Sequence, residues 1–173
     1  MDALFDGMFN DATGAQYKRF IAMNLAAHEA IEPVLAQSPI GLRVDEGDAG
    51  RLDAARRDAA ELRIEAAPAP EFPLPRPDLF EAFGIGYVLE GSRLGAKYMS
   101  RAIKRDRDVN GGSWPTAYLE ASSDARPFTR LLDRMAAEPS DEADIRRAVA
   151  AADATFRYFR TLCGDEPRRT NRV

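Results

Sequence analysis

Gly84-Ile85-Gly86-Tyr87-Val88-Leu89-Glu90-Gly91-Ser92-Arg93-Leu94-Gly95-Ala96-Lys97-Tyr98-Met99 is the stretch on which the reading of this chain turns. Apolar residues at Leu79, Phe83, Tyr87, Leu94, Tyr98 and Ile103 recur near the helical period, so the spacing predicts a helix. Four glycines, at 84, 86, 91 and 95, stand inside it. Each costs about 1 kcal/mol relative to alanine in a helix interior. Roughly 4 kcal/mol is a large loss for a domain whose net stability is on the order of 10 kcal/mol. Something must use the bare backbone, because a second body can come close where no Cβ stands in the way. It is either a neighbouring helix packed on a small-residue face or a flat ligand lying across Gly91 and Gly95, one turn apart. The residues alone leave both open.

Working outward towards the N-terminus, Asp78 is a good N-cap for this helix. Before it, Pro68, Pro70, Pro73, Pro75 and Pro77 forbid helix or central strand and predict an extended connector with Phe72 and Leu74 tucked in. Asp48 can cap an earlier helix with a stripe of Leu52, Ala55, Ala59, Leu62 and Ala66. Arg51, Arg56, Arg57, Asp58 and Glu61 read as its solvated outer face. Thr13-Gly14-Ala15-Gln16 reads as a capping box for a helix running to about Glu32 or beyond. Phe20, Met23, Ala27, Ile31 and Val34 mark its buried face, and Pro33 is expected to end or kink it. Ser38-Pro39-Ile40-Gly41 is a turn. Leu4, Phe5 and Met8 keep helical spacing, like the end of a further helix.

Towards the C-terminus, Lys104 to Gly112 reads as a loop. Ser113 and Pro115 suit a helix start, with Trp114, Tyr118 and Leu119 as its buried face. Phe128, Leu131, Leu132 and Met135 make another helix, ended by Pro139. Ser140 can cap the last, with a stripe of Ile145, Val149, Ala152, Phe156, Phe159 and Cys163 and a stop at Gly164. No segment alternates with period two. The expectation is an all-α chain of about seven helices: one domain over residues 1–164 and a flexible tail over 165–173.

Composition sets further bounds. The 173 residues are 45% hydrophobic and 30% charged with formal net charge −4, which argues against nucleic acid as partner. No apolar run approaches membrane-spanning length, and no signal-peptide pattern opens the chain. Cys163 is the single cysteine, so no intrachain disulfide forms; a cytoplasmic setting is expected. No Cys/His cluster suggests zinc, no strand precedes the glycines as a dinucleotide loop requires, and no Glu-x-x-His pair suggests a di-iron bundle. His28 is the only histidine. It reads as a packed or surface residue, and Tyr17, Tyr87, Tyr98 and Met99 read as core.

Tyr87-Val88-Leu89-Glu90-Gly91-Ser92-Arg93-Leu94-Gly95-Ala96 resembles the distal-helix motif of heme oxygenases, in the Tyr-Val-Leu-Glu-Gly-Ser-x-Leu-Gly-Gly form of bacterial members found beside phytochromes. Ala96 replaces the final glycine. Tyr17 through Glu32 is similar to the family's second helix, and Trp114 to Leu119 and Ala154 to Leu162 resemble its C-terminal helices. The resemblance implies a heme-oxygenase-like helical bundle with a kinked, glycine-rich distal helix. It implies oxygen-dependent opening of heme to biliverdin, carbon monoxide and ferrous iron. Heme is then both substrate and cofactor, electrons come from a separate donor, and a bacterial phytochrome is a candidate recipient of biliverdin. Gly91, Ser92 and Gly95 take the catalytic positions, and Tyr87 and Ala96 join them in binding heme. Ser92 either orders a distal water or bonds back to a helix carbonyl. The family's iron-binding histidine lies in a Thr-x-x-x-His-x-x-Leu-Asp pattern, and Asp2-Ala3-Leu4-Phe5 resembles the residues immediately after that pattern. The ligand is therefore expected just ahead of Met1, with His28 as the fallback. The alternatives are a heme-oxygenase fold that has lost heme and binds a protein partner, or a bundle with another small ligand in the same slot.

Overall fold

A computed structural model describes residues 14–41, 50–65, 68–110 and 114–164, apart from the side chains at 102 and 104–110. The described residues form six helices and no strand. The expected fragment at Met1–Met8, the cap residues Thr13 and Asp48, Ala66, and the tail over 165–173 lie outside them.

Helix α1 (Ala15–Gln37) buries Tyr17, Phe20, Ile21, Met23, Asn24, Ala27, His28, Ile31 and Leu35. It opens at Gly14, whose φ of 67° is left-handed; a Cβ there would stand 1.9 Å from the Trp114 ring. Pro33 does not end the helix, which continues to Gln37. The proline lies on the exposed face, where water can take the carbonyl its missing N–H leaves free. The Ser38–Gly41 turn forms as expected, closed by Gly41 N–H donating to the Ser38 carbonyl at 2.9 Å.

Helix α2 (Arg51–Glu61) packs on α1. The proline-rich connector comes next, fastened to the last helix: Phe72 meets the Tyr158 ring edge-on at 5.2 Å, and the Tyr158 hydroxyl donates to the Pro70 carbonyl at 2.8 Å. Helix α3 (Leu79–Asn110) runs 32 residues, about 48 Å at 1.5 Å per residue. Asp78 caps it, its Oδ1 accepting from the amides of Phe80 and Glu81 at 2.9 Å, while Glu81 Oε2 accepts from Asp78 N–H at 2.8 Å. The chain passes through all four glycines without leaving the helix, and Lys104–Asn110, expected as loop, continues it. Mixed charge is as compatible with a solvated helix end as with a loop.

Helix α4 (Ala117–Ala121) is short, and α5 (Arg126–Ala137) carries Pro127 in its first turn. Helix α6 (Glu142–Leu162) is capped by Asp141 with Asp144 in a capping box, in place of the expected Ser140. α3 packs along α6 and also against α5 and α4, while α2 bridges α1 and α4.

The faces of α3 and α6 are the expected ones only in part: Phe83, Ile103, Phe159 and Cys163 are buried as expected. On α3 the buried line is Ala82, Phe83, Ile85, Val88, Leu89, Glu90, Arg93, Ala96, Ser100 and Ile103, while Tyr87, Leu94 and Tyr98 are 43%, 55% and 69% exposed. On α6, Ala151, Thr155, Tyr158 and Phe159 are buried, and Ile145, Val149 and Phe156 lie exposed. The two helices meet through small residues, with Gly84 against the backbone of Ala148 and Ala152. At that turn the close approach of the two backbones leaves no room for a side chain on α3.

Candidate functional site: the glycine face of α3

Gly84, Gly91 and Gly95 are separated by two turns and then one, so they share a face of α3. A Cβ at Gly84 would stand 2.0 Å from the Ala148 carbonyl oxygen and 3.0 Å from the Ala152 amide nitrogen. Here glycine serves helix packing. Among the described residues, a Cβ at Gly91 would meet only the Phe128 ring at 3.6 Å, an ordinary contact, and at Gly95 none lies within 4 Å. The same line of α3 is thus filled at one end and open at the other. Tyr87, Leu94 and Tyr98 flank the open part, expected core residues in the case of the tyrosines but in fact exposed. Tyr87 stacks obliquely on Phe128 at 5.5 Å. Leu132, one turn along α5, is exposed too. Ala96 is buried on the core side of α3, so among the expected heme-binding residues it is the one turned away from the open face.

Beneath this face lies a buried ionic cluster. Arg51 and Glu90 are 0% and 1% exposed. Arg51 Nη2 donates to Glu90 Oε1 at 2.6 Å, and its Nη1 donates to the Leu89 carbonyl at 3.0 Å and to Ser92 Oγ at 3.3 Å. The second Glu90 oxygen accepts from Arg93 Nε, and Arg93 Nη1 donates to the Ala121 carbonyl at 3.1 Å. Ser92 Oγ donates to the Leu89 carbonyl at 2.7 Å, so the hydroxyl bonds back to its own helix. Buried charges persist only when paired and hydrogen-bonded, and these are.

Arg51 and Asp58, expected on a solvated face, are therefore both corrected to buried positions. Asp58 accepts from the backbone amides of Ala117 at 3.1 Å and Tyr118 at 2.9 Å. Burial raises its pKa, against the pull of those hydrogen bonds. The signal was present in the sequence: positions 51, 55, 58 and 62 share one helical face, so Arg51 and Asp58 line up with Ala55 and Leu62. Glu90, which had nothing in the sequence to single it out, joins them.

His28 is fully buried, and its hydrogen bonds are set by its neighbours. Asn24 Nδ2 donates to the Phe20 carbonyl at 2.8 Å, turning Oδ1 towards Tyr118, whose hydroxyl donates to it at 2.8 Å. The Tyr118 oxygen is then the acceptor for His28 Nε2 at 3.1 Å. His28 Nδ1 lies 2.6 Å from Glu32 Oε1, so one proton is shared between them. Burial pushes Glu32 up to about 7, with Arg51 pulling down and Glu90 pushing up. Both ring nitrogens are engaged, and ligation of iron by His28 would break one of these bonds. This is the packed histidine.

Among the described residues no group of three or more His, Cys, Asp or Glu side chains could hold a metal ion, and no helix is long and apolar enough to cross a membrane. Comparison with known proteins finds no matching family model, no matching curated protein and no matching solved structure. What the geometry defines is an all-helical protein whose central helix carries an open, glycine-floored apolar face over a buried ionic cluster.

Proposed function

We propose that the protein is a cytoplasmic heme oxygenase with a heme-oxygenase-like fold, opening heme to biliverdin, carbon monoxide and ferrous iron. One observation carries the reading: the turn that the motif resemblance assigns to heme is the turn left open by the described residues, none of which lies within 4 Å of a Cβ at Gly95, whereas Gly84 on the same face is filled. A porphyrin is flat and largely apolar, and ligand sites are concave and mostly apolar with few polar groups. The residues fit that group: Gly91 and Gly95 let it approach the backbone, and Tyr87, Leu94 and Tyr98 supply apolar flanks. Bound heme is the substrate and supplies the iron at which oxygen is activated, with electrons from a separate donor. The chain's own part is to keep the face clear at Gly91 and Gly95 and to hold the turn steady through Ser92. His28 is engaged on both ring nitrogens, so the reading gives it no part in holding heme iron. A bacterial phytochrome is the proposed recipient of biliverdin.

A second reading, a heme-oxygenase-like bundle that binds a protein partner on this face, is favoured by the exposure of Tyr87, Leu94 and Tyr98. Hemin titration with reductant separates the two. The first expects a Soret band on addition of hemin and biliverdin formation with reductant and oxygen; the second expects neither. Gly95→Leu leaves the protein folded, since leucine is the better helix former by about 0.8 kcal/mol, and abolishes turnover or excludes heme. A destabilised Gly95→Leu with ring opening intact, or no hemin binding, overturns the proposal.

A further inference from the structure

We propose that Arg51 is a positioning residue for the Leu89–Ser92 turn of α3, the turn that presents Gly91 and Gly95. One guanidinium from the first residue of α2 reaches three groups in this turn: the Leu89 carbonyl, the Glu90 carboxylate and the Ser92 hydroxyl. The Leu89 carbonyl accepts two side-chain hydrogens, from Arg51 and from Ser92. The reason for so elaborate a grip lies in the local sequence. Gly84, Gly86, Gly91 and Gly95 give this part of α3 weak intrinsic helicity, and none of the described residues packs within 4 Å of a Cβ at Gly95 to restrain the open face. A clamp from the opposite, buried side fixes the backbone without placing any side chain on the open face. Arginine suits the role because its planar fork makes several directed hydrogen bonds at once, which a lysine ammonium on a flexible stem does not. A buried ion pair adds little net stability over apolar packing, and its best-attested use is to fix register.

The consequence for heme rests on the reading above; the consequence for the backbone of α3 does not. Hydrogen exchange on the full chain tests the latter, comparing the wild type with Arg51→Lys, which keeps the charge and loses the fork. The expected result is faster exchange of the amides of residues 89–96 by about tenfold, with the amides of α1 and of residues 151–159 in α6 unchanged, the pattern of a local opening. Unchanged exchange at 89–96, or a uniform rise across all three helices, overturns the proposal, because the arginine is then either idle or a general stabiliser. If Arg51→Lys does not fold, Arg51→Met removes the fork while Arg93 still pairs with Glu90, and the same local pattern is expected. Hemin titration supplies the second readout. Where the wild type binds hemin, Arg51→Lys weakens it by about tenfold, the scale on which supporting partners act; equal affinity overturns the link to the ligand face. Where neither binds hemin and the exchange change is local, the heme reading fails and the positioning role stands.

Discussion

At Gly84 a methyl group would have to displace the Ala148 carbonyl, 2.0 Å away and part of a helix backbone that cannot swing aside. At Gly95 the same methyl meets none of the described residues within 4 Å. Gly84→Ala is therefore expected to destabilise at the upper end of about 1–3 kcal/mol. Gly95→Ala is expected to stabilise by about 0.4–1 kcal/mol through reduced freedom of the unfolded chain. Urea midpoints of the two variants read the difference; a Gly95→Ala as damaging as Gly84→Ala would mean that the open face is covered in solution. Glu32 offers a second test on single side chains. Its carboxyl rises from 4.5 to about 7, chiefly by burial, with Arg51, Glu90, Asp53 and Arg56 acting on it and His28 bonded to it. The folded state then binds more protons than the unfolded one between those values. Stability falls as pH climbs through that window and levels off above it. Glu32→Gln is expected to flatten the slope, so that urea midpoints at about pH 5 and about pH 8 draw together. A slope that survives the substitution would point to another group.

Five residues are too few for a helix that stands by itself, yet α4 holds Tyr118 and Leu119 deep in the core. Asp58 explains how, by accepting from two amides at its start that α4 cannot satisfy. Asp58→Ala leaves those donors without their carboxylate and is expected to cost about 1–3 kcal/mol, with faster hydrogen exchange at Ala117 and Tyr118. A loss spread evenly over α1 and α6 instead would count against the cap. Much at this scale was legible in advance. Asp78 announces the start of α3, Ser38–Gly41 its turn, and Tyr118 and Leu119 the buried side of α4, since each depends on local chemistry. Which side of α3 and α6 would be buried was legible only in part: Phe83, Ile103, Phe159 and Cys163 are buried as expected, and Tyr87, Leu94, Tyr98, Ile145, Val149 and Phe156 are exposed. Their large apolar residues repeat at helical spacing, but small residues form the seam, and a stripe records periodicity rather than partner. Nor does a run such as Lys104-Arg105-Asp106-Arg107-Asp108 say whether it is loop or solvated helix.

Across the molecule α3 is the element against which the others are placed: α6 along one side, α5 and α4 on others, with α2 joined to it through Arg51 and Glu90. Of the candidate site, the glycine line could be read from the sequence, and the ionic cluster beneath it could not. Arg51 and Glu90 lie far apart in the chain, and only the folded molecule brings them together. The small-residue seam has a further effect, leaving Ile145, Val149 and Phe156 exposed on α6. Replacing Ile145 and Val149 with serine is expected to change stability by no more than about 0.5 kcal/mol each. A larger loss that depends on protein concentration in thermal melts would reveal self-association through that stripe. The grip of Asp58 on α4 also bears on the order in which the chain assembles. The carboxylate precedes the amides it caps by 59 and 60 positions, so a long loop must close before this short helix gains its partner. Closing that loop is entropically unfavourable until α2 and α4 meet. Helix α4 thus belongs to the late stage of folding: the Asp58→Ala penalty appears in the unfolding rate and leaves the folding rate almost untouched, as for contacts absent from the transition state.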